Sequence, residues 1–264
     1  MTPEQLRALL EQVAAEAAHS GELPGAAAAG LPEGAIFRPT DTRAAGVVAD
    51  WVTPVAQRWA SQLGLGARDL ARVLAQGLTL QKPVAAVEVA PSGLIALTLE
   101  DASRSAIVAH VLEHQDEYAL DGGAVLHVPA EAPGSRAPGD PVLGAQLAHA
   151  RLCRLIRNAE AAGVERRASA RVERLTHVIE RHLLVALADL PQRLDTHAGD
   201  DVQQRRAVTD LADLANGWDH PLRPAVVDEP VRSVHGARVL LADAVRVVLR
   251  NGLARLGASA PERM

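Results

Sequence analysis

Asp140-Pro141-Val142-Leu143-Gly144-Ala145-Gln146-Leu147-Ala148-His149-Ala150-Arg151-Leu152-Cys153-Arg154-Leu155-Ile156-Arg157-Asn158-Ala159 decides the architecture of the C-terminal half. Asp140 suits an N-cap and Pro141 a first helical position, where a missing amide N–H costs nothing. Leu152, Leu155, Ile156 and Ala159 then recur on one helical face. The segments that follow read the same way. A helix is expected over 166–188, with Val172, Leu175, Val178, Ile179, Leu183 and Ala186 apolar and its end near Leu190-Pro191. Others are expected over 202–217 and 234–249, the last stopped by Gly252. An all-α bundle over 141–264 is the simplest architecture.

The N-terminal half has a different texture. Leu6, Leu9, Leu10, Val13 and Ala17 predict an amphipathic helix over 2–18, and the Gly-, Pro- and Ala-rich 21–34 reads as a flexible connector. A short strand is expected at 35–39. Val48, Trp51, Val52, Val55, Trp59 and Leu63 predict a helix over 44–63, followed by another over 67–78. Two strands, 85–89 and 94–99, flank the turn Pro91-Ser92-Gly93, and a helix is expected over 103–118. Turn residues then dominate 121–140, around a possible short strand at 125–128. The expected fold is mostly α: a helix and connector over 1–34, an α+β domain over 35–120, a linker over 121–140 and a helical bundle over 141–264.

Length and charge narrow the function classes. The 264 residues suffice for two modest domains. Residues 1–140 carry 9 basic and 17 acidic side chains, against 18 and 15 in 141–264, so the C-terminal half is the one suited to a phosphate backbone. Met1 to Ser20 lacks the basic start and apolar run of a secretory signal, and no stretch approaches the ~20 apolar residues of a membrane span. With Cys153 the sole cysteine, a reducing, cytoplasmic setting is expected, with no role for a membrane.

Two segments share a family resemblance. Gly252-Leu253-Ala254-Arg255-Leu256-Gly257-Ala258-Ser259-Ala260-Pro261-Glu262-Arg263-Met264 resembles the GLxLLGxxAPERM ending of arginyl-tRNA synthetases. Gln146 to Cys153, followed by Leu155-Ile156-Arg157-Asn158-Ala159, resembles the QYAHARxxSxxRxA opening of their anticodon-binding (DALR) domain. Val55-Ala56, Trp59-Ala60 and the run Val87 to Ala96 are similar to that family's additional N-terminal domain. Leu94 and Ala96 replace the Phe and Asn that help it hold the tRNA elbow. The resemblance implies a free-standing relative whose linker over 121–140 stands where the catalytic domain would lie. An HIGH-type sequence is absent and Lys82 is the only lysine, so a KMSKS loop cannot be written. The implied function is to bind tRNA, the arginine acceptor foremost, without catalysis, and to deliver it to a tRNA-using enzyme or synthetase. The alternative is a protein-interaction module that kept the fold and lost the RNA. No cofactor and no DNA enter either reading.

The expected RNA contacts follow from chemistry and resemblance together. Arg151, Arg154 and Arg157 lie three residues apart on one helix, and Arg167, Arg171, Arg174 and Arg181 share a face of the next. Guanidinium groups so arranged can fork onto phosphates, although Glu160, Glu165, Glu173 and Glu180 are interleaved for local pairing. Gln146 and His149 are the candidates for base or ribose contacts. Trp218, the sole Phe, Tyr or Trp after residue 140, either stacks on a base or fills the bundle core. His110-Val111-Leu112-Glu113-His114 has the form of an inverted zinc peptidase motif without a third ligand; two exposed histidines are the simpler reading. No phosphate-binding GxxxxGK[ST] or nucleophile-elbow GxSxG occurs.

Overall fold

The computed structural model describes residues 1–40, 49–120, 136–137, 139–165, 171–225 and 229–264. These contain eight α-helices and a four-stranded antiparallel sheet, a mostly α protein with a small α+β part near its N-terminus. The chain divides into two units, Met1–Arg104 and Ser105–Met264. Residues 105–120, expected with the N-terminal domain, thus belong to the C-terminal unit. The expected strand at 125–128 and most of the expected linker lie outside the described residues.

The first unit starts with α1 (Pro3–Ser20), closed by a reciprocal cap: Thr2 Oγ1 accepts from the Gln5 amide at 3.4 Å, and Gln5 Oε1 from the Thr2 amide at 3.0 Å. The stretch expected to be a flexible connector contains a 3-10 turn, Gly25–Ala29. Arg7 donates to the carbonyls of Leu31, Pro32 and Gly34 beyond it.

The sheet comprises β1 (Arg38–Pro39), β2 (Trp51–Thr53), β3 (Val84–Val89) and β4 (Ile95–Leu99) in the order β1-β2-β4-β3. β3 and β4 form the expected pair, joined through Gly93 at φ +85°; there a Cβ would come within 2.9 Å of the Ala67 carbonyl oxygen.

The helix expected over 44–63 is not present as such. Residues 41–48 lie outside the described set, and Trp51–Thr53 is a fully buried strand paired to β4. Helix is left only to α2 (Val55–Trp59). Pro54 explains the break: it lacks an N–H and pushes the residue before it toward extended geometry. The spacing of Trp51, Val52 and Val55 mimicked a helix because strand and helix bury adjacent stretches. α3 (Ala67–Thr79) packs on α1, α2 and β3, and crosses α1 at Gly77, where a methyl would run into Val13.

A buried ion pair secures the sheet to the start of α4 (Asp101–His114). Arg104 Nε and Nη2 donate to the two Asp50 carboxylate oxygens at 2.9 and 2.8 Å, while Asp50 Oδ2 also accepts the Leu99 amide at 2.7 Å. Both side chains are almost wholly buried, so the pairing is what makes either charge tolerable there.

In the second unit, α4 ends in the 3-10 turn Gln115–Glu117, and four long helices follow: α5 (Pro141–Ala161), α6 (Val178–Thr196), α7 (Asp201–Gly217) and α8 (Ser233–Arg255). Asp140 caps α5 through the Val142 amide at 2.8 Å, as expected, and Asp200 caps α7. Arg193 pairs with Asp210, and Gly217 faces Ile179, so α6 and α7 are antiparallel. Arg238 meets Glu180 and Arg255 meets Asp195, so α8 runs parallel to α6.

Three helix boundaries differ from expectation. The helix expected over 166–188 begins only at Val178; before it lie residues 166–170, outside the described set, and a 3-10 turn, Val172–Arg174. Glu180, three residues past His177, accepts the His177 amide at 3.3 Å, a start signal legible in the sequence.

At its other end α6 continues through Pro191 to Thr196, with Leu190 and Leu194 buried. Proline removes the amide that would bond the Leu187 carbonyl, and the Tyr118 hydroxyl donates to that carbonyl at 2.7 Å instead. Finally, α8 runs past Gly252 to Arg255. Gly252 is no cap: a Cβ there would lie 2.9 Å from Val208 Cγ2, so the missing side chain lets α8 approach α7 closely.

Candidate nucleic-acid interface

The last residues fold back onto α5. Gln146 Nε2 donates to the Ser259 carbonyl at 2.9 Å, and His149 Nδ1 donates to the Pro261 carbonyl at the same distance. Arg157 Nη2 reaches the Glu262 carbonyl at 3.3 Å, and its Nη1 lies 3.7 Å from the Glu262 carboxylate. The spacing 146, 149 and 157 follows one stripe of α5. Ala258, just upstream, is buried, which seats the segment.

Gln146 and His149 are 3% and 1% exposed, so these expected base readers are committed to the chain's own C-terminal segment. Burial lowers the His149 pKa against the opposing effect of the Pro261 carbonyl, and the ring is kept neutral as a donor. Cys153 sits one turn further on, buried with its thiol pKa raised by desolvation, an inert core residue.

Arg151 faces another way. Its Nη1 donates to the Ala215 carbonyl at 2.9 Å and its Nη2 to the Trp218 carbonyl at 2.8 Å, covering the last turn of α7 with a positive charge. Burial first, then the like charge of Arg154, lowers its pKa. Trp218 is 1% exposed, so its ring fills the core of this unit and offers no face to a base. Of the two fates open to a lone Trp, packing wins because burying the indole removes a large apolar area from water.

Of the arginines expected to meet RNA, Arg154, Arg171 and Arg174 are exposed and Arg157 is half-exposed. The Arg154 and Arg174 side chains make no hydrogen bond or ion pair with a described residue. Arg171 pairs with Glu173 at 2.9 Å, an exposed bridge that a phosphate can displace. Arg167 lies outside the described residues, and with 171–177 not α-helical, Arg171, Arg174 and Arg181 do not share a helix face.

A feature that spacing did not reveal lies where α6 starts and α7 ends. The His177 and His220 rings stand with centroids 4.0 Å apart, tilted by 50°. The two come from segments 43 positions apart in the chain, and only the fold brings them together. Their backbones are linked through buried charge: the His177 amide donates to Glu180, Arg238 Nε donates to Glu180 Oε1 at 2.7 Å, and Arg238 Nη1 donates to the Pro221 carbonyl at 3.3 Å. Glu180 is 1% exposed, so its alignment is tightly constrained.

His110 and His114 also approach, at 4.3 Å, but His114 Nδ1 is engaged with the His110 carbonyl. Among the described residues no three His, Cys, Asp or Glu side chains gather as a metal site, and no helix is long and apolar enough to cross a membrane.

Comparison with known proteins bears on the same region. Residues 145–264 match the DALR anticodon binding domain. The chain is 41% identical over 135 residues to the arginine–tRNA ligase of Clavibacter sepedonicus, which is 50% of this chain and 24% of that protein. It is 41% identical over 129 residues to that of Frankia alni, 47% of this chain and 23% of that protein. With the enzyme of Kineococcus radiotolerans it shares 40% over 134 residues, 49% of this chain and 24% of that protein. The chain spans about a quarter of the length of the curated relatives it matches. The motifs that signal kinship, Gln146 to Arg157 and Ser259 to Glu262, are two sides of one hydrogen-bonded clamp. Residues 145–264 thus match the DALR anticodon binding domain, and over about half its length the chain is similar to arginine–tRNA ligases.

Proposed function

We propose that this protein binds tRNA, the arginine acceptor foremost, without charging it, and presents it to a tRNA-using enzyme or a synthetase in the cytoplasm. The DALR anticodon binding domain over 145–264 carries the reading. The non-catalytic part is supported by the absence of an HIGH-type sequence and by a single lysine, Lys82, which leaves no KMSKS loop to meet adenylate phosphates.

Within the domain, Arg154, Arg157, Arg167, Arg171 and Arg174 supply the phosphate contacts. Gln146, His149, Arg151 and Trp218 act one step behind the surface: the first two hold the C-terminal segment, Arg151 covers the end of α7, and Trp218 fixes the turn that follows. Phosphate contacts hold an RNA without reading it, so discrimination between tRNAs must come from bases.

The test is competition. Labelled arginine tRNA bound to the purified protein is displaced by unlabelled arginine tRNA or by an unrelated tRNA. Preferential displacement by arginine tRNA is expected. Equal displacement would sink the acceptor assignment, and binding of a synthetase or other protein with no affinity for tRNA would establish the interaction module instead.

A further inference from the structure

We propose that the imidazoles of His177 and His220 form a stacking platform for an unpaired RNA base, an inference that rests on the tRNA-binding reading above. Single-stranded bases are held by flat side chains, and histidine serves as well as the larger aromatics in kind if not in area. Among the described residues of this domain Trp218 is buried and His182 and His197 are half-buried; Tyr118, ahead of the domain, is buried as well. His149 and His235 are buried too. The His177 residue is exposed and the His220 side chain 20% exposed, their ring centroids 4.0 Å apart.

Three observations make this pair more than a chance approach. First, its geometry is held from behind by the His177–Glu180–Arg238–Pro221 chain of hydrogen bonds and by Arg151 on the Trp218 carbonyl, so both ring-bearing segments are anchored on buried groups. A site that must present two rings at fixed spacing needs such support.

Second, the surroundings suit a polyanion. Arg171 and Arg174 precede His177, Arg223 follows His220, and Arg154 lies one turn beyond Arg151, itself anchored to the end of α7. The acidic neighbours are Glu173, paired with Arg171, Asp219, 3.3 Å from His220 Nδ1 without the alignment of a hydrogen bond, and Glu180, neutralised by Arg238.

Third, the His110–His114 ring pair provides a contrast. His110 and His114 are bordered by Glu113, Asp116 and Glu117, a setting that repels phosphate. Arg250 is spent on Asp116 there.

The platform would take a base of any identity, because every base has a π-face. It supplies affinity for unpaired RNA over duplex, while the flanking arginines follow the backbone.

The experiment uses the full chain and two RNAs: a hairpin with 2-aminopurine in its single-stranded loop, and the same stem closed as a blunt duplex. His177→Ala and His220→Ala are each expected to weaken the hairpin by about 5- to 150-fold and to reduce 2-aminopurine quenching, leaving duplex binding and melting temperature in place. The double His→Phe variant should restore both affinity and quenching, and His114→Ala should change neither. Hairpin binding and quenching that survive both alanine substitutions would overturn the platform, as would equal losses on hairpin and duplex, which mark a loss of positive surface or of shape. If the unaltered protein binds neither RNA, the tRNA reading falls and takes the platform with it.

Discussion

Tyr118→Phe removes one oxygen from the protein, and the structure says what that oxygen does. Pro191 interrupts α6 by taking away the amide due to the Leu187 carbonyl, which is buried, and the Tyr118 hydroxyl donates to it at 2.7 Å. The ring keeps its edge-on contact with His110 in the Phe variant, so the change acts at the hydroxyl. A buried carbonyl left without a donor costs ~1–3 kcal/mol. Pro191→Ala restores a backbone amide at the position from which the carbonyl is normally served. With that amide present the same Tyr118→Phe change should cost less than ~1 kcal/mol, a coupling of roughly 1–2 kcal/mol between residues 73 positions apart. Urea denaturation of the four proteins, with the transition midpoints compared in one buffer, measures the cycle. Equal costs of Tyr118→Phe with and without the Pro191→Ala change would refute the idea that the phenol replaces the missing helical donor.

Gly252→Ala drives a methyl to within 2.9 Å of Val208 Cγ2 at the α7–α8 crossing, and overpacking of this kind costs ~1–3 kcal/mol; thermal melting should show it, and an unchanged midpoint would contradict the close-approach role. The C-terminal segment should loosen in acid. The folded pKa of His149 is below its unfolded value, so the stability it contributes is complete above about pH 6.5 and is lost as pH falls toward the folded value; hydrogen exchange at residues 258–263 should speed up over that range, and no longer do so in His149→Gln. Asp189 works in the opposite direction. Its carboxyl is buried, Arg193 stands 4.0 Å off and donates to Asp210 instead, and the pKa is pushed up to about 7. The folded state holds a proton that the unfolded chain releases, so stability falls as pH rises from about 4 to about 7. Asp189→Asn should raise the melting temperature at pH 8 and change it little at pH 4.

The elements readable from the sequence were those whose signals are local. Asp140-Pro141 marked the start of α5, Pro91-Ser92-Gly93 marked a hairpin, and the two family motifs pointed to the DALR domain before any contact was known. Misreadings arose where a long-range contact decides the outcome. Pro191 would end a helix in isolation, yet α6 continues, and a tyrosine 73 positions away donates to the carbonyl it leaves unserved. Gly252 has the composition of a stop, yet its use depends on Val208 across the helix pair. At Trp51 a helix-like spacing overrode Pro54, the local signal that should have prevailed. The interface shows the same division. Arginine spacing indicated a cationic surface, but which arginines are spent on carbonyls depends on where α7 ends and where the last residues lie. His177 and His220 meet only after folding, so no pattern in either segment announces the pair.

If exposed arginines of residues 145–264 hold a tRNA backbone, as proposed above, binding must depend on salt. The dissociation constant for arginine tRNA, measured from low to physiological salt, should rise steeply, with a log–log slope that counts displaced counterions. Arg154→Ala and Arg174→Ala should each reduce that slope by about 0.7–0.9 while leaving the fold intact. A flat salt response, or slopes unmoved by both substitutions, would mean that these arginines do not meet the RNA backbone.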